Sequence, residues 1–189
     1  MSARKIEFLY QSLSDTQAII RATDVKLGFL FAIVLLPITV FGDIYAVALN
    51  IANDSKLMMV GLGLIAILWF LSFYTLFLGV VAISNPYKSV SGEKAEGSFH
   101  GGDLFKFKFT DRFMNRPVLS KYTVDDVVKT LPESDAEIIQ ELVFEKIKTA
   151  YIRDIKTKRA SQCVVLAFLW ITLGAAIWGY HLFKVSLEC

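Results

Sequence analysis

Few of the residue types that carry catalysis or metal binding occur in this chain of 189 residues, which holds two histidines, two cysteines and four prolines. The spacing signatures are missing as well. There is no GxSxG, no HExxH, no GxxxxGK[ST] phosphate loop and no Cys/His set at zinc spacing. Enzymatic activity, a resident metal and a cofactor are therefore not expected. Charge of one sign is also lacking: twenty Lys and Arg against eighteen Asp and Glu leave a formal +2, which offers no overall basis for binding nucleic acid. The first 26 residues are charged and have no apolar core ahead of a small-residue cleavage site, so no cleavable signal peptide is expected.

What the chain has instead is three long apolar runs, 27–50, 57–83 and 160–183. Each reaches the ~20 residues that a helix rising 1.5 Å per residue needs to cross the hydrocarbon. The expected fold class is an all-α integral membrane protein with three transmembrane helices. Residues Ile51 to Lys56 are too few for anything but a tight antiparallel hairpin between the first two spans. The first span holds Pro37, which bends or wedges it, and Asp43. A carboxylate at membrane depth must face a partner, water or the interface. Asp43 lies seven residues from the end of its run, roughly 10 Å at helical rise. Asp24 and Lys26 mark the headgroup level at the inner boundary. Gly61 and Gly63 in the second span, with Ala175 and Gly179 in the third, offer small surfaces for close packing and favour a homo-oligomer.

Orientation follows from the cations. Eighteen of the twenty lie either before the first run or between Lys88 and Arg159; only Lys56 and Lys184 lie elsewhere. The N-terminus and the central segment are thus expected in the cytoplasm and the tail 184–189 outside, in a multi-pass plasma-membrane protein. Cys163 and Cys189 then sit across the bilayer from one another, which excludes a disulfide between them. His100 and His181 are separated in the same way.

The cytoplasmic parts read as helices around an irregular segment. Residues 1–26 form an amphipathic helix with Ile6, Leu9, Leu13 and Ile20 near helical spacing, running straight into span one. Ser134 and Glu137 form a capping box, opening a helix over 134–159 whose stripe is Ile139, Leu142, Val143, Ile147, Tyr151 and Ile155. No Gly or Pro occurs between Ser134 and Gly174, so this helix is expected to continue into span three. Spans one and three would then extend below the membrane as a helical stalk. Acids come early in the second rod and bases late, matching the helix dipole and placing Lys156, Lys158 and Arg159 near anionic headgroups.

Residues 84–133 are the irregular part. A polar, Gly-rich loop spans Ser89 to Gly102; Phe105, Phe107 and Phe109 then alternate with Lys106, Lys108 and Thr110, as in a short strand or an interfacial segment. Thr123 caps a short helix running to about Leu131. Two readings stand for His100, Gly101, Gly102, Lys106, Lys108 and Arg112: a turn with solvated side chains, or backbone amides and cations gathered for a phosphate. The phenylalanines could stack on a base or simply bury apolar area.

Layout and a few residues together give a resemblance. A helix ends in Ala22-Thr23-Asp24-Val25-Lys26 at the first span; a hairpin follows, then Phe99-His100-Gly101-Gly102, then a charged helix from Ile138 to Arg159 entering the last span. In this order the chain resembles the PycTM-type membrane effectors of bacterial Pycsar anti-phage systems. The resemblance implies an abortive-infection effector. It would sense a cyclic pyrimidine mononucleotide, cCMP or cUMP, and compromise the inner membrane. Two other expectations remain: a pore-forming effector answering another signal, and a non-toxic scaffold subunit that holds a partner through its stalk.

Overall fold

The computed structural model describes residues 2–54, 56–81, 83, 86, 104–105 and 120–188. Of these 91% are helical, and none forms a strand. Five helices follow in chain order: α1 Ser2–Thr39, α2 Phe41–Asp54, α3 Lys56–Val80, α4 Val124–Lys129 and α5 Asp135–Glu188. They fall into two compact units, one of Met1–Ala18 with Ser84–Ile152, the other of Ile19–Ile83 with Arg153–Cys189. Helices α1 and α5 each contribute residues to both.

In the first unit both expected caps form. Thr123 closes a reciprocal box with Asp126 at the start of α4, and Thr130 and Leu131 end it with i→i−3 bonds to Val127 and Val128. At α5 the Ser134 hydroxyl accepts the Glu137 amide at 3.3 Å. The Glu137 carboxylate accepts the amide of Glu133 at 2.9 Å, one residue earlier than a standard box. Leu9, Leu13 and Leu142 form the core, with Ile6, Ile138 and Ile139 packed on it. The expected stripe of α5 is corrected in part: Val143, Ile147 and Tyr151 are exposed, while Glu141, Leu142, Glu145, Lys148 and Thr149 are buried. Residues two apart on a helix point to opposite sides, so packing Glu145 inward turns Val143 and Ile147 outward. Around Phe105 the expected strand is a single bridge to Ser120 among the described residues. Phe107 and Phe109 lie outside them, as does the loop Ser89 to Gly102.

In the second unit the first apolar run is not one straight helix. Pro37 has no amide for the Ile33 carbonyl, and its ring crowds that oxygen. Helix α1 stops two residues later, and α2 departs at 65°. The expected span Leu27 to Asn50 is therefore broken at Val40, and the expected loop Ile51 to Lys56 is largely helical, because α2 continues through Asp54 and α3 begins at Lys56. Helix α2 packs against α3, as a hairpin partner should. Leu27, Val34, Leu76, Ala160 and Cys163 form the core, with Leu30 and Phe73 against it.

Helices α3 and α5 are each long and apolar enough to cross a membrane, and α1 with α2 make a third candidate when the bent pair counts as one span. Only 6% of the most apolar stretch of α3 is buried by the chain itself. Leu57, Met59, Val60, Phe70 and Phe77 stand exposed. An apolar surface of this extent needs a solvent other than water.

Burial along α1 and α5 follows a seven-residue repeat. In α1 the buried or half-buried positions include Ile6, Leu9, Leu13, Thr16, Ile20, Thr23, Leu27, Leu30 and Val34, at alternating steps of three and four. In α5 they include Ile138, Leu142, Glu145, Thr149, Ile152, Lys156, Arg159, Cys163, Leu166 and Trp170, at the same steps. This is the spacing of a left-handed helix seam. Polar residues occupy several of its positions, and each must find a hydrogen-bond or ion-pair partner there.

Candidate functional site

Within the second unit, the best-defined cluster of polar side chains joins α1, α3 and α5 near the end of α3. Thr23 is buried on the α1 seam and returns its hydroxyl to the Ile19 carbonyl at 2.9 Å, so it packs with its donor satisfied. One residue on, the Asp24 carboxylate accepts from Lys156 Nζ of α5 at 2.5 Å. The Lys156 side chain is only 12% exposed and that of Asp24 is 46% exposed, so the lysine is mostly withdrawn from water while its partner stays wetted. Withdrawing Lys156 from water carries a desolvation cost that offsets the stronger attraction, and it makes loss of the Asp24 partner costly, because a mostly buried cation would be left unpaired.

One turn further along α5, Arg159 donates from Nη1 to the Leu78 carbonyl at 2.7 Å. Helix α3 ends at Val80, so Leu78 owns one of the terminal carbonyls that lack an intrahelical amide. The Phe77 carbonyl, one residue earlier, still takes the Val81 amide at 3.0 Å. A guanidinium at this place satisfies the oxygen and complements the negative end of the helix dipole. Gly79 beside it makes room for Leu27: a Cβ there would lie 3.0 Å from Leu27 Cδ2, and 3.7 Å, an ordinary contact, from Arg159 Cβ.

Deeper in the same unit, the Cys163 thiol reaches the Ser72 carbonyl at 3.5 Å and the Ser72 hydroxyl at 3.6 Å, all buried. The Trp69 indole donates to the Val34 carbonyl at 2.8 Å. These bonds tie α3 to α5 and to α1 through groups that need no charge. The residue pairs show α3 running antiparallel to both neighbours, since Gly79 meets Leu27 and Arg159 at one end and Gly61 meets Ile177 at the other.

The residues singled out from sequence separate accordingly. Asp24 is a member of this cluster; Lys26, two residues on, is exposed. Pro37 sits at the break. Asp43 falls in the first turn of α2, the helix N-terminus that the break creates. A carboxylate complements the amides there, which accounts for an acid in an otherwise apolar run. Gly61 packs inside the chain, its missing Cβ only 2.7 Å from Ile177 Cδ1, whereas a Cβ at Gly63 or Gly179 would meet no atom within 4 Å. Ala175 is exposed. His100, Gly101, Gly102, Lys106, Lys108 and Arg112 lie outside the described residues.

The first unit has its own polar set. Glu145 pairs with Lys148, both nearly buried. Lys148 also lies 4.8 Å from the Phe144 ring centroid, and Lys146 of α5 lies 5.2 Å from that of Phe8 on α1. At the caps, the Thr123 hydroxyl, donating to Asp126 at 2.7 Å, and then the Thr123 amide hold the Asp126 carboxyl below its ordinary range. The Glu133 amide does the same for Glu137, helped by Ser134. Among the described residues no three His, Cys, Asp or Glu side chains are grouped to hold a metal.

Lys156, Arg159 and Glu145 are structural partners that composition alone does not reveal, because charged residues on a helix ordinarily serve solvent, dipole or lipid. The signal was their spacing. Each lies on the seven-residue grid that also carries Leu142 and Cys163, and a charge on a buried seam position must find a partner. No protein-family model, curated protein or solved structure matches the chain.

Proposed function

We propose that this chain is a membrane effector, in which cytoplasmic helices sense a small anionic signal and apolar helices permeabilise the membrane in response. One observation carries the reading: α1 and α5 each run without interruption from charged, amphipathic sequence into an apolar stretch, with α5 alone spanning 54 residues, about 80 Å at helical rise. A helix is stiff along its axis because every peptide is bonded to the next turn. A change of packing at its polar end is therefore felt at its apolar end.

In this proposal the chain crosses the bacterial plasma membrane three times, by the bent α1–α2 pair, by α3 and by the last part of α5. The distribution of cations places the N-terminus inside and the C-terminus outside. The polar starts of α1 and α5 form a stalk. The segment 84–133 carries the sensor, with His100, Gly101, Gly102, Lys106, Lys108 and Arg112 around the phosphate of cCMP or cUMP, as the resemblance to the Pycsar membrane effectors implies. Gly63, Ala175 and Gly179, which face outward, serve packing between copies in a homo-oligomer. Ligand binding works by favouring the open of two arrangements, to the extent that it binds that one better.

The test is release of a membrane-impermeant dye from proteoliposomes of the full chain. Addition of cCMP or cUMP is expected to raise release, and the triple substitution of Lys106, Lys108 and Arg112 by Ala to weaken nucleotide binding. Absence of nucleotide-dependent release would refute the reading.

A further inference from the structure

In the second unit the buried positions shared by α1, α3 and α5 are concentrated at one end. The buried positions of α3 are Ser72, Leu76 and Gly79, all in its last third. Those of α1 and α5 facing them are Leu27, Val34, Ala160, Cys163 and Ala167. Toward the other end of α3, Leu57, Met59, Val60, Leu64 and Ile67 are exposed, α3 packs against its hairpin partner α2, and its contact with α5 is that of Gly61 with Ile177. The tight end is where the two charged ties lie, Asp24 to Lys156 and Arg159 to the Leu78 carbonyl.

We propose that the Asp24–Lys156 pair, supported by the Arg159 bond to Leu78, is an autoinhibitory clamp that holds the three helices closed at this end. The inference rests on the effector reading for what the closure prevents, but not for the clamp itself. Three features suit the pair to that role. It joins α1 to α5, the two helices that contribute to both units, beside the apolar cluster in which Leu27 and Val34 of α1 meet Leu76 of α3 and Ala160 and Cys163 of α5. It is held by charge, so breaking the ion pair itself removes no apolar contact, and the neighbouring cluster of Leu27, Val34, Ala160 and Cys163 sets how far the helices then part. It also has a wet partner: Asp24 at 46% exposure can be rehydrated, while Lys156 at 12% is held inside the junction. Separation therefore leaves a cation facing Arg159 one turn away, and the two repel.

Reversing one charge should open the clamp, and reversing both should restore it. Full-length protein is reconstituted in phosphatidylethanolamine and phosphatidylglycerol vesicles loaded with calcein, and release is followed with and without cUMP or cCMP. Asp24→Lys and Lys156→Asp are expected to leak without nucleotide at least tenfold faster than wild type, and the double reversal to fall within about twofold of it. Lys158→Asp, an equal reversal at an exposed lysine of the same turn, is expected to stay tight. Far-UV helicity and monodispersity of each variant in detergent establish that it folds, and resealing by the double reversal separates loss of the clamp from loss of structure. Leak from the double reversal as fast as from the singles, or singles as tight as wild type, overturns the clamp. If wild type answers nucleotide while the singles stay tight, the clamp fails and the effector reading stands. If the singles leak and the double reseals while no nucleotide acts on wild type, the clamp stands and the nucleotide reading fails.

Discussion

The glycines of α3 allow a sharp test of how the apolar bundle is packed, because the nearer contact should matter less. A Cβ at Gly61 would lie 2.7 Å from Ile177 Cδ1 and 3.8 Å from Cγ1. That first atom is the free end of a half-buried side chain, which can turn away for about 0.5 to 1.5 kcal/mol. Replacing glycine by alanine in a helix returns about 1 kcal/mol, so Gly61→Ala should be near neutral. A Cβ at Gly79 would meet Leu27 Cδ2 at 3.0 Å and Cδ1 at 3.3 Å. Leu27 is 1% exposed and clustered with Val34, Leu76, Ala160 and Cys163, so it has nowhere to go. Overpacking of this kind costs about 1 to 3 kcal/mol; after the helix-propensity gain, Gly79→Ala should lose about 1 kcal/mol. Leu27→Ala removes a buried leucine at about 2 to 5 kcal/mol. In that background the Gly79→Ala clash has vanished, and the second substitution should become neutral or stabilising. Thermal unfolding of the detergent-solubilised protein, followed by helicity, reads all four. A Gly79→Ala midpoint equal to wild type, or one above that of Gly61→Ala, would refute the packing.

Pro37→Ala restores an amide to the first break and should straighten α1 into α2. Spin labels at Phe31 and Leu49, with Cys189→Ser, would move apart by about 4 Å if the 65° bend disappeared at 1.5 Å per residue; an unchanged distance would place the cause of the bend elsewhere. Glu145→Ala removes the partner of the nearly buried Lys148 and should cost about 3 kcal/mol or more, while Val143→Ala on the exposed face should change stability by under ~1 kcal/mol. The opposite order in thermal unfolding would restore the face expected from the apolar stripe. Asp126 and Glu137 titrate below their ordinary values of 3.8 and 4.5. Their cap contributions are therefore complete above about pH 4.5 and are lost as pH falls through the lowered values. The protection of the Thr123 and Glu133 amides, measured as exchange relative to the intrinsic rate at each pH, should fall below about pH 4 and stay level between pH 5 and 7.

Both caps were legible because capping is local: Thr123 and Ser134 act on amides three residues away, within reach of any reading of the chain. The continuity of α5 was legible because nothing before Gly174 could interrupt it. The buried face of α5 was not. Val143, Ile147 and Tyr151 make a plausible apolar stripe, and only the partner helix decides that Leu142, Glu145 and Thr149 turn inward instead. The end of the straight part of span one was half legible. Pro37 announced a bend, but the continuation of α2 through Asp54 depends on α2 lying along α3. Of the residues noted at the membrane boundary, Asp24 belongs to the polar junction and Lys26 does not, though they differ by two positions and both are charged.

By itself, the sequence determined that this chain is helical, that its apolar stretches are long enough to cross a membrane, and where its caps and its proline break fall. Those are properties of composition and short-range spacing, which every copy of the chain carries before it folds. Only the tertiary structure decided which charges are paired and which glycine is filled by a neighbour. Lys156 and Asp24 stand 132 residues apart in the chain, and no local rule connects them. They meet because two seven-residue seams bring α1 and α5 together in one register, so that a lysine on one and an aspartate on the other arrive at the same level of the bundle.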